Sequence, residues 1–329
     1  MDSFTHILTG IAVGQVFSEN DDKAKPLVWG AIAGSIPDLD AIFQPFMSPE
    51  NSMFFHRGIS HSLLVWALCS PLLALLINKI DKGDRHSYFK WLKISVVAWF
   101  SHIFLDIFNT YGTGIFEPFS HVRIAYDAVN VIDLLYMIPL LTISVFFVFI
   151  IGDWMKKRIA ALSALAFSLF YIMFAILVKI NVETSAKIQF VMTDVNPVRV
   201  ISSPLPLSTL AWKIVAETDT EYHTGIFYGF WKERATFTVI PKNRLLEKEF
   251  EKYDNFQTLK QFTKNCYVIR YTDGQTTLCD LRFSSLSPEC DALCFPLHIR
   301  ENTLEIGRAS LNRHVTFKNI RDHYKRLFN

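Results

Sequence analysis

The feature that most constrains this chain is the stretch at 99–112, WFSHIFLDIFNTYG, in which an apolar helical sequence carries His102 and Asp106. These two residues are four positions apart, so they project from one face of a helix. Burial of ionisable side chains in apolar surroundings costs several kcal/mol unless a metal ion, a partner or water satisfies them. The stretch therefore predicts a polar site within an apolar helical region.

Three other short stretches place His or Asp among apolar neighbours. They are TH at 5–6, PDLD at 37–40 and HRGISH at 56–61. Imidazole and carboxylate groups are the usual ligands of zinc and similar divalent ions at sites that keep a position open for water. If these residues had no common role, four separate segments would carry ionisable groups at the same place only by coincidence. We therefore expect the four segments to converge on a shared metal site.

Individual residues also have plainer explanations. His102 and Asp106 could form a helix–helix hydrogen bond instead of chelating an ion. Asp38 could bridge two ions while Asp40 binds or orients a neighbour, but aspartates in such positions often cap turns. The histidines of HRGISH do not share one helical face, and each alone could be a polar group at the membrane surface. Arg57 could hold a phosphate or a carboxylate.

The polar residues that follow the central stretch have less specific patterns. They could support the metal ligands or be ordinary loop residues, and the second explanation is favoured. They are Asn109, Tyr111, Glu117, His121 and Asp133. The sequence contains no HExxH helix, Gly-rich phosphate loop or GxSxG elbow. Zincin proteases, P-loop nucleotidases and serine hydrolases of the α/β type are therefore disfavoured.

Apolar residues are concentrated before about residue 180, and the remainder has the pattern of a soluble protein. The hydrophobic share of 50% and the mean hydropathy of +0.23 are high for a soluble chain. A helix needs roughly 20 apolar residues to cross a bilayer, and shorter ones can form tilted or re-entrant hairpins. We expect an α-helical integral membrane bundle of four to six apolar helices over 1–180. Its segments are 4–18, 26–36, 63–80, 91–108, 131–151 and 159–180.

Basic residues orient this predicted bundle. Lys and Arg are concentrated in the loops at 19–25, 79–93 and 152–158. The loops on the opposite side, 37–62 and 109–130, contain only Arg57 and Arg123 as basic residues other than His. Because cytoplasmic loops are the ones rich in Lys and Arg, the unusual His and Asp residues are expected at the outer ends of their helices. The chain after residue 180 is then expected to be extracytoplasmic.

The C-terminal part, 181–329, alternates apolar and polar residues as strands do, and 254–264 has the pattern of a helix. We expect a small soluble α+β domain with a mostly antiparallel sheet. Cys290 and Cys294 could form a disulfide in an oxidising space or could remain free thiols. The net charge of +2 gives no sign of a nucleic-acid binder, and no nucleic-acid partner is expected.

Taken in order, the stretches MDSFTH, GSIPDLD, HRGISHS and SHIFLDIFNTYG resemble the YdjM-type family of membrane-bound, metal-dependent hydrolases. The resemblance covers about 1–150 and continues at PLPLSTLAW (204–212) and DLRF (280–283). The chain departs from the family pattern at Asp133, which precedes Leu134 where the family has proline. More distantly, the order TH, PD, H, HxxxD is similar to that of the zinc-dependent phospholipases C.

The resemblance implies a set of ligands, a location and a reaction class. The implied metal ligands are His6, Asp38, His56, His61, His102 and Asp106. They would hold one to three divalent ions, with zinc as the expected metal. Asp40 would be a ligand or a general base, and Arg57 would bind the anionic part of the substrate. The implied location is the inner (cytoplasmic) membrane of a bacterium, with several passes through it.

The function expected from these features is that of a membrane-bound, metal-dependent hydrolase at the outer bilayer surface. Metal-activated water would attack a phosphodiester or ester of a membrane lipid or a lipid-linked substrate. The alternative is a non-catalytic membrane protein with a structural metal site and a partner-binding soluble domain. A closed shell of four protein ligands would favour that alternative. A transporter would need polar residues along its helices, whereas those of this chain gather at one end.

Overall fold

A computed structural model gives the structure of the protein and describes residues 1–82, 85–147, 152–228, 235–272, 274–284, 291–311 and 325. The chain divides into two compact units. The first comprises Met1–Phe46 and Phe55–Phe174, and the second comprises Met47–Phe54 and Ala175–Asn329. The predicted boundary at residue 180, between a membrane part and an extracytoplasmic part, stays a prediction.

Helices build the first unit. They are α1 (Ser3–Val16), α2 (Lys25–Ser35), α4 (Leu63–Ile80), α5 (Arg85–Asp106), α6 (Leu134–Leu141) and the first part of α7 (Trp154–Met192). The short helix α3 (Pro49–Phe55) belongs almost entirely to the second unit. Two 3-10 helices, Ile36–Phe46 and Ile59–His61, lie between the longer elements. Asp2 caps α1 by accepting a hydrogen bond from the Thr5 amide, and Ser62 caps α4 through the Val65 amide. These caps fix where the helices begin and therefore how the polar stretches meet them.

Helices α1 and α2 form an antiparallel pair whose close approach depends on glycine. A Cβ atom added at Gly10 would lie 2.3 Å from the carbonyl oxygen of Gly30. A Cβ atom at Gly34 would lie 2.7 Å from the carbonyl oxygen of His6. Backbone atoms cannot move aside as a flexible side chain can, so only glycine allows this approach. The pair therefore places His6 opposite Gly34, next to the polar stretch that follows α2.

Two helices of the described ranges are long and apolar enough to cross a membrane: α4, with a mean hydropathy of 2.0, and α7, with 2.4. The prediction of a bundle with four to six apolar helices is therefore wrong. Helices α1 and α2 have 14 and 11 residues, fewer than the roughly 20 that a span requires. Helix α5 has 22 residues, but Lys90 and Lys93 in its first half reduce its hydropathy.

The predicted span at 131–151 is interrupted. Helix α6 contains Pro139 and ends at Leu141, and the chain continues as a π-helix over Thr142–Phe147. Residues 148–151 lie outside the described part of the chain. Proline removes a backbone hydrogen bond of a helix, and π-helical turns alter its register. Apolar content alone therefore overestimated the length of the regular helix. The predicted span at 159–180 lies within the much longer α7.

The second unit contains two antiparallel sheets, and the prediction of a C-terminal α+β domain is confirmed. The first sheet has the order β1 (Arg199–Pro204), β2 (Ala211–Glu217), β3 (Glu221–Tyr228), β4 (Phe237–Pro241). The second has the order β5 (Tyr267–Thr272), β6 (Gln275–Ser284), β7 (Asp291–Arg300), β8 (Thr303–Ile306), and β9 (Ser310–Leu311) also pairs with β7. Two helices, α8 (Arg244–Phe250) and α9 (Asp254–Phe262), lie between the sheets in the sequence. The buried core joins Val215 and Tyr222 of the first sheet to Val268 and Leu281 of the second.

The disulfide of the second unit links Cys279 to Cys294 on the neighbouring strands β6 and β7. The two residues are directly opposite in the strand register, with their Cα atoms 4.1 Å apart. Cys294 therefore neither pairs with Cys290 nor remains a free thiol, the two alternatives that the sequence left open, and Cys290 itself lies outside the described residues. Spacing in the sequence does not determine a disulfide, because pairing depends on which strands become neighbours.

The two C-terminal stretches that resemble the family lie in the core of the second unit. Arg282 is buried and binds the carboxylate of Asp280, and its Nη2 donates to the carbonyl oxygen of Phe262, 2.6 Å away. Burial raises the pKa of Asp280, an effect that the neighbouring guanidinium opposes. The amide of Leu205 donates to the carbonyl oxygen of Ala211. Both stretches therefore stabilise the fold of this unit.

We expect Gly30→Ala to lower the free energy of unfolding by about 1–3 kcal/mol, because the added methyl group would meet the backbone of α1. The measurement is denaturant-induced unfolding of the full chain in detergent, followed by circular dichroism. Gly152→Ala is the matched control, since nothing lies within 4 Å of a Cβ atom at that position. Equal stability of the two variants would contradict a glycine-dependent contact between α1 and α2.

Candidate metal centre

Four elements of the first unit carry the predicted site residues. They are α1 with His6, the 3-10 helix Ile36–Phe46 with Asp38 and Asp40, the 3-10 helix Ile59–His61 with His61, and α5 with His102 and Asp106. Successive residues of a 3-10 helix point about 120° apart, so Asp38 and Asp40 project in different directions. This geometry sends one carboxylate towards α5 and the other towards the HRGISH stretch.

Four side chains bring one potential ligand atom each to a common point: Asp38, His61, His102 and Asp106. These atoms lie within 4.8 Å of one another. The Nε2 atom of His61 is 3.5 Å from Asp38 Oδ1 and 3.3 Å from Asp106 Oδ2. The Nε2 atom of His102 is 3.5 Å from the same two oxygens and 3.0 Å from His61 Nε2. Three of the four predicted segments thus supply the group, and the fourth, with His6, lies outside it.

These separations suit a single divalent ion. Ligand atoms bound tetrahedrally at about 2.0–2.2 Å lie roughly 3.3–3.6 Å from each other. The four nitrogen–oxygen separations fall within that range, and the 3.0 Å between the two nitrogens lies just below it. The group contains two imidazoles and two carboxylates, a donor set that zinc and similar ions accept. The cluster could therefore bind a metal ion.

The buried oxygens of the cluster also call for a cation. Asp38 Oδ1 and Asp106 Oδ2 are shielded from solvent and accept no hydrogen bond of good geometry among the described residues, although Arg57 Nε lies 3.1 Å from Asp106 Oδ2. An ionised carboxylate oxygen left without a donor in the interior is strongly unfavourable. The two imidazole nitrogens that approach these oxygens cannot both donate along every contact. A metal ion at the centre would satisfy all four atoms at once.

The ring of His102 is oriented by the backbone of α2. Its Nδ1 atom lies 2.6 Å from the carbonyl oxygen of Gly34, which can only accept a hydrogen bond. This contact assigns the proton to Nδ1 and leaves the Nε2 lone pair for the cluster. The Nδ1 atom of His61 lies 2.9 Å from Ser60 Oγ and 3.6 Å from Asp40 Oδ2. Both histidines therefore present Nε2 to the same point.

His56 and Asp40 form a pair beside the cluster. Their Nδ1 and Oδ1 atoms are 2.7 Å apart. The other oxygen of Asp40 accepts hydrogen bonds from the Ser60 hydroxyl and from the Arg57 amide. The His56 side chain is 20% exposed, whereas His61 is fully buried. The predicted role of His56 as a ligand stays a prediction, since its ring contacts Asp40 and lies outside the four-atom group.

His6 lies on the opposite side of the cluster. Its ring stacks on that of His102, with centroids 3.6 Å apart, and its Nε2 is 3.2 Å from Asp106 Oδ1. The same oxygen binds the Met1 ammonium and lies 3.3 Å from Nδ2 of Asn109. His6 is therefore a neighbour of the four-atom group, and its role as a ligand stays a prediction.

Arg57 is buried and contacts groups of the protein. Its Nε lies 3.1 Å from Asp106 Oδ2, and its Nη2 donates to the carbonyl oxygen of Met1, 2.8 Å away. The guanidinium stacks over the ring of Tyr111, and Arg123 stacks over that ring as well. These contacts suit a residue that fixes the Asp106 carboxylate. The predicted binding of a substrate anion by Arg57 stays a prediction.

The two carboxyl groups of the 3-10 helix are held in their ionised form. Burial raises the pKa of Asp38, but interactions with the neighbouring imidazoles of His102 and His61 outweigh burial and keep that pKa well below its usual range. Burial also raises the pKa of Asp40, but other interactions lower it further than burial raises it. The largest of these is the hydrogen bond with His56. Together with Asp106, three carboxylates thus lie in or beside the cluster. Their negative charge favours the binding of a cation.

Some supporting residues were not recognised in the sequence. Asn109, which was favoured as a loop residue, is buried, and its Oδ1 accepts hydrogen bonds from the Tyr111 and Gly112 amides. Its position three residues after Asp106, at the end of α5, was the available signal. Ser3 donates to Asp38 Oδ2 over 2.7 Å without any recognisable motif. By contrast, Asp133 caps α6 through the Leu135 amide.

Comparison with known proteins places this architecture in a family. The sequence profile described as YdjM inner membrane protein matches residues 1–182, which include every candidate site residue. The chain belongs to the YdjM inner membrane protein family. The family name supports an inner-membrane location, in agreement with the two apolar helices α4 and α7. The looser similarity to zinc-dependent phospholipases C is not shown by these comparisons.

Two relatives of this YdjM-family protein match part of it. The uncharacterized protein YfhP of Bacillus subtilis is 32% identical over 145 residues, which are 40% of this chain and 42% of YfhP. Inner membrane protein YbcI of Escherichia coli is 26% identical over 137 residues, which are 38% of this chain and 78% of YbcI. The match thus spans less than half of YfhP. No solved structure matches the chain.

We expect the purified protein to bind a divalent ion that His102→Ala and Asp38→Ala lose, with affinity falling at least about tenfold, because each removes one of four converging ligand atoms. Elemental analysis after dialysis and competition with a zinc indicator measure this effect. His121→Ala is the matched control, since His121 is exposed and pairs with Glu117. Unchanged metal binding in both cluster variants would contradict the assignment of the site.

Proposed function

We propose that this YdjM-family protein is a membrane-bound, metal-dependent hydrolase that acts on a phosphodiester or ester of a lipid or lipid-linked substrate. The observation that carries the proposal is the convergence of four ligand atoms within 4.8 Å, including two buried carboxylate oxygens. The residues fit a divalent ion by their donor chemistry and by their separations. A bound zinc or similar ion would act as a Lewis acid and would lower the pKa of a coordinated water.

In this proposal Asp38, His61, His102 and Asp106 hold the ion, and neighbouring residues orient them. The Gly34 carbonyl oxygen fixes the ring of His102, and Arg57 and Asn109 fix the carboxylate of Asp106. Restricting the ligands in this way reduces the reorganisation that binding would otherwise require. His6 and His56 are proposed as further ligands if more than one ion is bound.

The Asp40–His56 pair is proposed to move the proton of the attacking water. Asp40 receives hydrogen bonds from His56, Ser60 and the Arg57 amide, so it is well suited to hold the imidazole in place. Its contact with Nδ1 of His56 leaves Nε2 for proton transfer. His56 is the partly exposed member of the pair. A positioned base of this kind contributes about 10²–10⁴-fold to a rate.

The proposed location of the site is the outer surface of the membrane. Helix α4 begins directly after His61, so the cluster lies at one end of a candidate span. The concentration of basic residues at 19–25 and 79–93 favours the cytoplasm for the other end. The Cys279–Cys294 disulfide favours an extracytoplasmic second unit, because disulfides persist in oxidising compartments. We propose residues 1–180 as the membrane-embedded metal-site domain and 181–329 as the extracytoplasmic α+β domain.

The second candidate function is a non-catalytic membrane protein with a structural metal ion. Four protein ligand atoms around one point favour it, because structural zinc sites have four protein ligands. The second unit would then bind a partner. The partly exposed Asp40–His56 pair favours the hydrolase, since a structural ion needs no acid–base pair beside it.

Activity and metal content together distinguish the two functions. We expect His56→Ala and Asp40→Asn to keep the bound metal while hydrolysis slows by about 10²–10⁴-fold, because the proton acceptor is lost and the four-atom group remains. The assay uses full-length protein loaded with zinc, with phosphatidylglycerol, phosphatidylethanolamine and a nitrophenyl phosphodiester as substrates. His121→Ala serves as control. Bound metal without hydrolysis of any ester in the wild type would favour the structural alternative.

The orientation of the second unit is testable independently of activity. We expect a periplasmic alkaline phosphatase reporter fused after residue 329 to be active and a cytoplasmic fluorescent reporter to remain dark, because basic loops place the C-terminus outside. A fusion within the 19–25 loop should give the opposite pattern and serves as the reference. A fluorescent C-terminal fusion would overturn the proposed topology.

A further inference from the structure

Exposed apolar side chains surround the candidate metal centre on two stretches of the first unit that precede and follow the site residues. We call these side chains the apolar rim. They are Leu39, Ile42, Phe43 and Phe46 on one stretch, and Phe116, Phe119, Val122 and Tyr126 on the other. Phe46 is 86% exposed and Phe119 is 82% exposed. Side chains of this size are seldom so exposed in water without a partner.

The first stretch is the 3-10 helix Ile36–Phe46, and its polarity is inverted. Pro37 and Asp40 are buried, and the Asp40 carboxylate faces the histidines of the site. The side chains on the outside are Leu39, Ile42, Phe43 and Phe46. A segment that faces water has the opposite arrangement, with apolar residues inside and polar residues outside. The outer side of this helix is therefore suited to an apolar environment.

The second stretch is bonded to the site residues. The amide of Gly114 donates to the carbonyl oxygen of Arg57, 2.8 Å away. The Arg123 guanidinium donates to the carbonyl oxygen of His56 over 2.8 Å. The amides of Phe119 and Ser120 both donate to the carbonyl oxygen of Phe116, which closes a turn. These contacts hold Phe116 and Phe119 beside the HRGISH stretch.

The apolar rim continues the apolar surface of α4. The amide of Leu63, the first residue of α4, donates to the carbonyl oxygen of Ile115, 3.0 Å away. Along α4 the exposed side chains are Leu64, Leu68, Leu72, Leu75 and Leu76, which share one helical face. Eighteen residues give a helix about 27 Å long, close to the roughly 30 Å thickness of the hydrocarbon layer. The rim therefore lies at the level where the span meets the membrane surface.

From this arrangement we propose that the apolar rim inserts into the outer leaflet of the bilayer and that its occupant is the acyl-chain region of a phospholipid membrane. The sequence at 37–46 contains no Lys or Arg, and Arg123, the one such residue at 115–126, donates to the carbonyl oxygens of His56 and Gly112. The contact is therefore made by apolar burial and not by attraction to anionic headgroups. The proposal deepens the proposed function, because a rim at this depth would let a lipid ester reach the site directly from the membrane.

The test measures the depth of spin labels in the full chain, reconstituted in vesicles of phosphatidylcholine and phosphatidylglycerol. Nitroxides are attached to Phe46→Cys and Phe119→Cys in a background with Cys69→Ser, Cys266→Ser and Cys290→Ser. Collision rates with oxygen and with a water-soluble nickel chelate report depth. Leu68→Cys on α4 is the lipid reference, and Asn20→Cys in the turn before α2 is the aqueous reference.

We expect the nitroxides at 46 and 119 to resemble the label at 68, with nickel collision rates at least fivefold lower than at 20. Rates equal to those of the label at 20 would overturn the proposal, as would dipolar broadening between labels at 46, which would identify a second copy of the chain as the occupant. The depth measurement does not depend on bound metal or on hydrolysis. The insertion of the rim and the proposed hydrolase can therefore fail separately.

Discussion

The interaction on which the first unit depends is the approach of two carboxylates to two imidazoles in a buried space. Asp38 and Asp106 each direct an oxygen at the Nε2 atoms of His61 and His102. Such a group is unfavourable in the interior unless its charges are balanced. The sequence distributes the four residues over three separate elements, so whatever balances the charges also ties those elements together. An ion that this cluster could bind would therefore couple its binding to the folding of this unit.

The scaffold around this group is built from backbone contacts as much as from side chains. The glycines of α1 and α2 allow these helices to approach so closely that His6 lies opposite Gly34. The same approach exposes the Gly34 carbonyl oxygen to His102 on α5. On the other side, the Arg57 carbonyl oxygen accepts a hydrogen bond from Gly114 and fixes the loop after α5. Packing between helices thus determines the orientation of the site residues.

The convergence of the site could be predicted because burial of His and Asp in apolar helices is unusual enough to indicate a common purpose. The number of membrane spans could not be predicted from the sequence, since Pro139 and the following π-helix interrupt an apolar segment that looks continuous in sequence. The disulfide was missed because strand register, and not spacing, brings Cys279 to Cys294. Asn109 was underestimated because its role depends on the end of α5 and on the loop that folds back there.

The hydrogen bond between His102 and Gly34 has a consequence for any attempt to choose which ion the cluster could bind. The acceptor is a main-chain oxygen, so no replacement of a side chain removes it, and a bulkier residue at position 34 would push α1 away. Replacing the side chain of another residue therefore does not remove the acceptor that keeps the proton on Nδ1 of His102. An engineer who seeks cobalt or manganese selectivity would have to change His6, whose ring stacks on that of His102, or exchange the ligands themselves.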